Sequence, residues 1–229
     1  MLKPRFQYGG QAVIEGVMMR GRDCAAIAVR KPNGEISVDM REIDNSRRPA
    51  ILKAPFIRGT VMLIESLVLG MNALMYSANE SAEEEEQLSG GEVALSLAVA
   101  LGLFVLLFIV LPNVIVALIQ KRISSVVLVN LIEGALRVAI FIVYLVAISQ
   151  MRDIQRVFAY HGAEHKTIHC YEHEEELTVE NVKKYSTKHP RCGTSFMFLV
   201  MIISIIVFSF LGWHSIWINI LTRLLFIPL

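Results

Sequence analysis

Apolar residues follow different rhythms in different parts of this chain. Near the start they alternate with polar ones: Ala25 to Lys31 and Glu35 to Ile43 read as two β-like runs around Pro32-Asn33-Gly34. That tripeptide is a hairpin signal, with proline early in the turn and glycine where φ must be positive. Ahead of it, Gly9 to Gly21 reads GGQAVIEGVMMRG, expected to be a glycine-punctuated strand with close backbone packing or a bend against another element, with Glu15 standing among Val, Ile and Met. From Phe56 to Ala78 the rhythm turns helical, and Arg58, Glu65, Asn72 and Asn79 recur every seven residues as a polar stripe. An amphipathic or re-entrant membrane helix is expected over 56–78. Asn79 to Gly91, NESAEEEEQLSGG, breaks the pattern as an acidic, solvated linker over 79–92.

Beyond the linker the rhythm gives way to continuous apolar runs. Val93 to Ile119 is uncharged and longer than the about 20 helical residues that cross a hydrocarbon core. Val126 to Ser149 is a second span, carrying Asn130, Glu133 and Arg137 on one side, with Glu133 and Arg137 spaced to pair. These two spans occupy 93–149, a polar His/Cys loop occupies 150–193, and a third span with the start of a fourth occupies 194–229. Gly212 to Ser215 reads as an interfacial turn beside tryptophans. The fourteen residues from Ile216 to Leu229 would cover only ~21 Å as a helix, so a continuation past Leu229 is expected. The fold class expected is an α-helical multi-pass membrane protein with a small N-terminal β-containing cytoplasmic region, residues 1–55.

Composition agrees: 54% of the 229 residues are hydrophobic and the formal net charge is +1. A near-neutral chain without a basic tract gives no reason to expect nucleic acid as a partner. The partners expected are membrane lipids, with other membrane proteins or a second copy of this chain as further candidates. Cys24, Cys170 and Cys192 are an odd set on distant segments, which argues for reduced thiols rather than a disulfide framework. The start MLKPRFQYGG has no apolar core, so insertion is expected to rely on an internal span. Lys and Arg number eleven in residues 1–58, seven in 151–193 and two in the intervening QKRISS connector. The positive-inside rule then puts the N-terminal region and the histidine loop together in the cytoplasm.

The chemistry concentrates in Tyr160 to Tyr171, YHGAEHKTIHCY. On a helix, His161, His165 and His169 share one face at successive i, i+4 spacings, with Glu164 beside them. His161 to His165 fits H-x-x-E-H, in which two histidines bind a divalent metal and the glutamate acts as a base. Helix stability did not select this stretch, since Gly162 within a helix costs ~1 kcal/mol against alanine. His189 and Cys192, in HPRC just before the third span, form a second ligand pair in the same loop. The ligand types suit Zn2+. His161, His165, His189 and Cys192 are the candidate metal ligands and Glu164 the candidate catalytic base; His173, amid glutamates, reads as solvated surface.

GGQAVIEGVMMRG, HGAEHK at His161 to Lys166 and HPRCGTSF at His189 to Phe196, in that order, resemble the YqhQ-like bacterial membrane family, a group of unknown function labelled as predicted metal-dependent enzymes. The resemblance covers nearly the whole chain and implies a multi-pass bacterial inner-membrane protein with a metal site, and a longer C-terminus. Two functions compete: a metal-dependent hydrolase at the cytoplasmic interface, and a non-catalytic scaffold, assembly or transport-related protein whose His/Cys site staples the loop. A thiolate ligand favours the staple, and three N or O ligands plus water favour the hydrolase.

Overall fold

A computed structural model describes residues 6–43, 55–83 and 90–210. The chain divides into two compact units, Met1–Leu88 with Met151–Pro190, and Ser89–Gln150 with Arg191–Leu229.

The first unit is built on an antiparallel sheet in the order β1 (Gly9–Val13), β2 (Gly16–Arg20), β3 (Cys24–Arg30), β4 (Ile36–Glu42). The β3–β4 turn follows the Pro-Asn-Gly signal: Gly34 takes φ 88° and its N–H donates to the Lys31 carbonyl at 2.9 Å. GGQAVIEGVMMRG is not one strand but a hairpin, because Val13 pairs with Gly16 and leaves Ile14 and Glu15 as the turn. No turn-forming residue marks that reversal. Glu15 adopts φ 51°, a left-handed conformation unusual outside glycine, asparagine and aspartate.

Helix α1 (Pro55–Ser81) packs against β1, β2 and β3. The core there is Val13, Met18, Ile27, Val29 and Ala73. Each fully buried valine or isoleucine contributes about 1.5–3 kcal/mol of transfer free energy. The buried face of α1 is made of small residues, Gly70, Ala73 and Ser77, so the strands come close. Ser77 is used twice: its Oγ accepts from Ile14 N–H at 3.2 Å and donates to the Leu74 carbonyl at 2.8 Å. Arg20 donates to Ser66 Oγ at 2.8 Å, and Lys31 meets Glu80 at 3.2 Å. Of the expected polar stripe, Arg58, Asn72 and Asn79 stay exposed alongside large apolar residues such as Leu63, Leu67 and Val68.

Side chains alternate across a strand, so Gly10 lies on the opposite face of β1 from Val13. That opposite face receives α5 (Arg152–Glu172), which packs on β1 and β2. The polar stretch over 150–193 thus carries His161, His165 and His169 on a helix, as their i, i+4 spacing leads one to expect. A short helix α6 (Val179–Lys183) follows, its first turn capped by Thr178 Oγ1, which accepts from Asn181 N–H at 3.3 Å.

The second unit contains α2 (Gly90–Val105), a π turn (Leu106–Val110), α3 (Leu111–Ile119), α4 (Val126–Ile148) and α7 (Gly193–Phe210). Pro112 explains the π turn. Proline has no N–H and crowds the carbonyl four residues back, and a widened turn relieves both. Asn113 then donates to the Ile109 carbonyl at 2.7 Å. Helix α4 packs on α3 and α7. Gly134 brings α4 against α7, since a Cβ there would lie 2.4 Å from Ile205 Cγ1. Glu133 and Arg137 do pair, at 2.6 Å, with Glu133 1% exposed. Among the described residues, three helices are long and apolar enough to cross a membrane: Ile57–Ser81, Gly90–Ile119 and Val126–Ile148. The Gly212 to Ser215 turn, the fourth apolar segment and most of the acidic run lie outside the described residues.

Candidate metal centre

Helix α5 is fixed on the sheet before its histidines begin. Arg156 donates from Nε and Nη2 to the two carboxylate oxygens of Glu15, and Tyr160 OH donates to Glu15 Oε2 at 3.3 Å. The Glu15 carboxyl is held below its usual range, chiefly by the Arg156 hydrogen bond and against the opposing effect of burial. At the far end of the helix, Tyr171 meets Tyr8 edge-on, centroids 5.0 Å apart.

One helical turn after Tyr160 the functional face begins, and Glu164 and His165 are both buried. The segment after α6 returns along this face. Gly162 makes room for it, since a Cβ there would stand 3.1 Å from Thr187 Cγ2. Thr187 and Lys188 then offer successive carbonyls, to His165 Nδ1 at 2.6 Å and His169 Nε2 at 2.9 Å. A carbonyl only accepts, so these bonds put a proton on those nitrogens; in the neutral ring the lone pair then sits on His165 Nε2 and His169 Nδ1. Histidines that ligate metals are commonly oriented in this way.

The rings follow one another along the face. Centroids are 4.3 Å apart for His161 and His165, 5.7 Å for His165 and His189, and 4.6 Å for His189 and His169. Burial, and then the neighbouring His165, hold His161 below the usual imidazole range. Glu164 is 5% exposed, and burial pushes its carboxyl up to about 7. Its Oε2 lies 3.4 Å from His161 Nδ1 but outside hydrogen-bond geometry, and has no hydrogen-bond partner among the described residues. A buried carboxylate oxygen without a donor is costly unless it meets a proton or a cation. Gly10 of β1 leaves the space for this carboxylate, since a Cβ there would fall 2.8 Å from Glu164 Cγ, Cδ and Oε1.

The donor set therefore fits a divalent ion, with imidazoles and an unsatisfied carboxylate on one helix face. Within the first unit the structure brings together His161, Glu164, His165 and His189. Cys192 falls in the second unit, where its Sγ is 2.8 Å from Thr194 Oγ1. Sequence reasoning missed Glu172, whose Oε2 is 3.4 Å from His189 Nε2, and left His169 out of the ligand set. It also gave no partner to Glu15. His169 carried a usable signal, the third i+4 step; Glu172 is camouflaged by Glu174 to Glu176.

A small sheet carrying a histidine-lined helix, in a chain with three helices of membrane-crossing length and composition, defines the class of protein. The chain belongs to the family described as "Protein of unknown function (DUF1385)", which matches residues 54–229. It is 35% identical over 239 aligned residues to "Uncharacterized protein YqhQ" of Bacillus subtilis (strain 168), an alignment covering 96% of this chain and 74% of that protein. No solved structure matches it.

Proposed function

We propose that this is a multi-pass protein of the bacterial cell membrane, the inner one where the envelope has two, with its N-terminus in the cytoplasm. There it acts as a metal-dependent hydrolase at the membrane surface. The Lys and Arg asymmetry supports the orientation, and so does the packing of α5 on the N-terminal sheet, which joins the two Lys/Arg-rich regions in one unit. The observation that carries the catalytic reading is the buried Glu164 carboxylate, its Oε2 without a donor, beside His161 and His165 on one helix face.

In this reading His161 and His165 hold the ion, with Cys192 or His189 completing the set; Cys192 enters from the sequence, three residues after His189. When bound, zinc supplies a water acidified to a pKa of ~7. Glu164 Oε2 takes a proton from the attacking water and returns it to the leaving group. The Thr187 carbonyl keeps the His165 ring in the ligating tautomer, and β1 at Gly10 closes one side of the carboxylate.

Glu164→Gln tests the assignment, because it keeps size and shape while removing the proton acceptor. Metal content, measured by elemental analysis of purified protein, should stay at the wild-type level while function falls 10²- to 10⁴-fold, the usual loss for a general base. Loss of metal in the same variant would instead make Glu164 a ligand or an orienting partner and favour the loop staple.

A further inference from the structure

One turn beyond the first histidine pair, α5 ends in a second group of donors. His169 and Glu172 stand three apart on the last turn of the helix, and His189 comes down on them from the returning segment. One ligating atom from each of the three lies within 4.8 Å of the others. The His189 side chain is 2% exposed, with the Glu172 carboxylate 3.4 Å from its Nε2 and the His169 ring 4.6 Å away. His169 is oriented from behind by the Lys188 carbonyl, as His165 is by Thr187. A histidine–carboxylate contact alone accounts for His189 and Glu172; a cation engages all three groups. Ligand separations around a tetrahedral zinc are about 3.3–3.5 Å for bonds near 2.1 Å, so small side-chain rotations close the set.

We propose that His169, Glu172 and His189 bind a second divalent cation, distinct from the one assigned to His161 and His165. His189 then belongs to the second ion rather than completing the first. The ligands, two imidazoles and one carboxylate, are those that zinc and other first-row divalent metals accept while keeping a position open. This extends the reading above, and the test separates the two.

The purified full-length protein, stripped with a chelator and dialysed against Zn2+, should hold about two ions per chain, as two-metal sites do. Glu172→Gln and His169→Gln should each reduce this to about one, and so should His165→Gln acting on the other ion. Adding Glu172→Gln to His165→Gln should remove the remaining ion, whereas His173→Gln should leave the content unchanged. Circular dichroism and the Zn2+-induced rise in melting temperature provide readouts independent of activity. The isosteric Glu172→Gln, at a partly exposed position, guards against a folding defect in His169→Gln. A single ion per chain that survives both His169→Gln and Glu172→Gln would overturn the second site while leaving the first intact. A single ion lost in those variants but kept in His165→Gln would overturn the first site and support this one, and a wild type that binds none would overturn both.

Discussion

At the scale of single residues, the unusual feature is how little separates β1 from the Glu164 carboxylate. Gly10 has no side chain, and the space one would fill is already taken by three atoms of Glu164. Gly10→Ala should therefore destabilise the protein by about 1–3 kcal/mol, the usual cost of overpacking a filled site. The two positions should also be coupled. In Gly10→Ala combined with Glu164→Ala the new methyl meets no carboxylate, so the loss from Gly10→Ala should largely disappear, a non-additivity that thermal unfolding of the four proteins in the cycle reads directly. Additive losses would mean that Gly10 is constrained by the strand pairing and not by the carboxylate.

Among the secondary elements, the fixing of α5 to the β1–β2 turn has a pH signature. Arg156 and Tyr160 on α5 face Glu15, with Arg30 contributing from the end of β3, and together they lower the Glu15 carboxyl from its ordinary value of 4.5. A carboxyl depressed in the folded state contributes its full stabilisation above the unfolded value, and the contribution is lost as pH falls through the folded one. Stability from this contact should thus be flat from neutral pH down to about 4.5 and then decline. Glu15→Gln should be less stable at neutral pH and lack that acid limb, as hydrogen exchange of the α5 amides across the pH range would show. An unchanged acid limb in Glu15→Gln would assign it to other carboxylates.

The same element shows what was legible in the sequence and what was not. The β3–β4 hairpin was readable because Pro32-Asn33-Gly34 encodes its turn locally. The histidine face was readable because i, i+4 spacing is a property of any helix. The β1–β2 reversal was hidden, since Ile14-Glu15 carries no turn chemistry and its left-handed Glu15 is tied down by residues 141 and 145 positions away. Glu172 was hidden for a related reason: its neighbours in sequence are solvated glutamates, and its partner His189 reaches it only when the chain folds back. On α1 the polar stripe was visible, but the helix docks through Gly70, Ala73 and Ser77, small residues that a hydrophobicity pattern does not rank.

For the molecule as a whole, the orientation proposed above places residues 1–58 and 151–193 in the cytoplasm and the QKRISS connector outside. Single cysteines introduced in either polar region should resist a membrane-impermeant thiol reagent added to intact cells, and those in QKRISS should react. The opposite pattern would invert the topology. The π turn at Leu106–Val110 bears on how such a chain tolerates change in length. Upstream of it α2 buries no residue, whereas downstream Pro112, Asn113 and Val116 are buried. The turn is thus a phase boundary: one inserted residue rotates everything on one side of it by about 100° relative to the other. Inserted between Val93 and Val105, a single alanine turns only a surface with no preferred direction and should leave the folded yield unchanged. Placed between Asn113 and Val116, the same alanine puts those two side chains out of phase with each other and should sharply reduce it. Length variation in this segment is therefore expected to be tolerated on the N-terminal side of the turn alone.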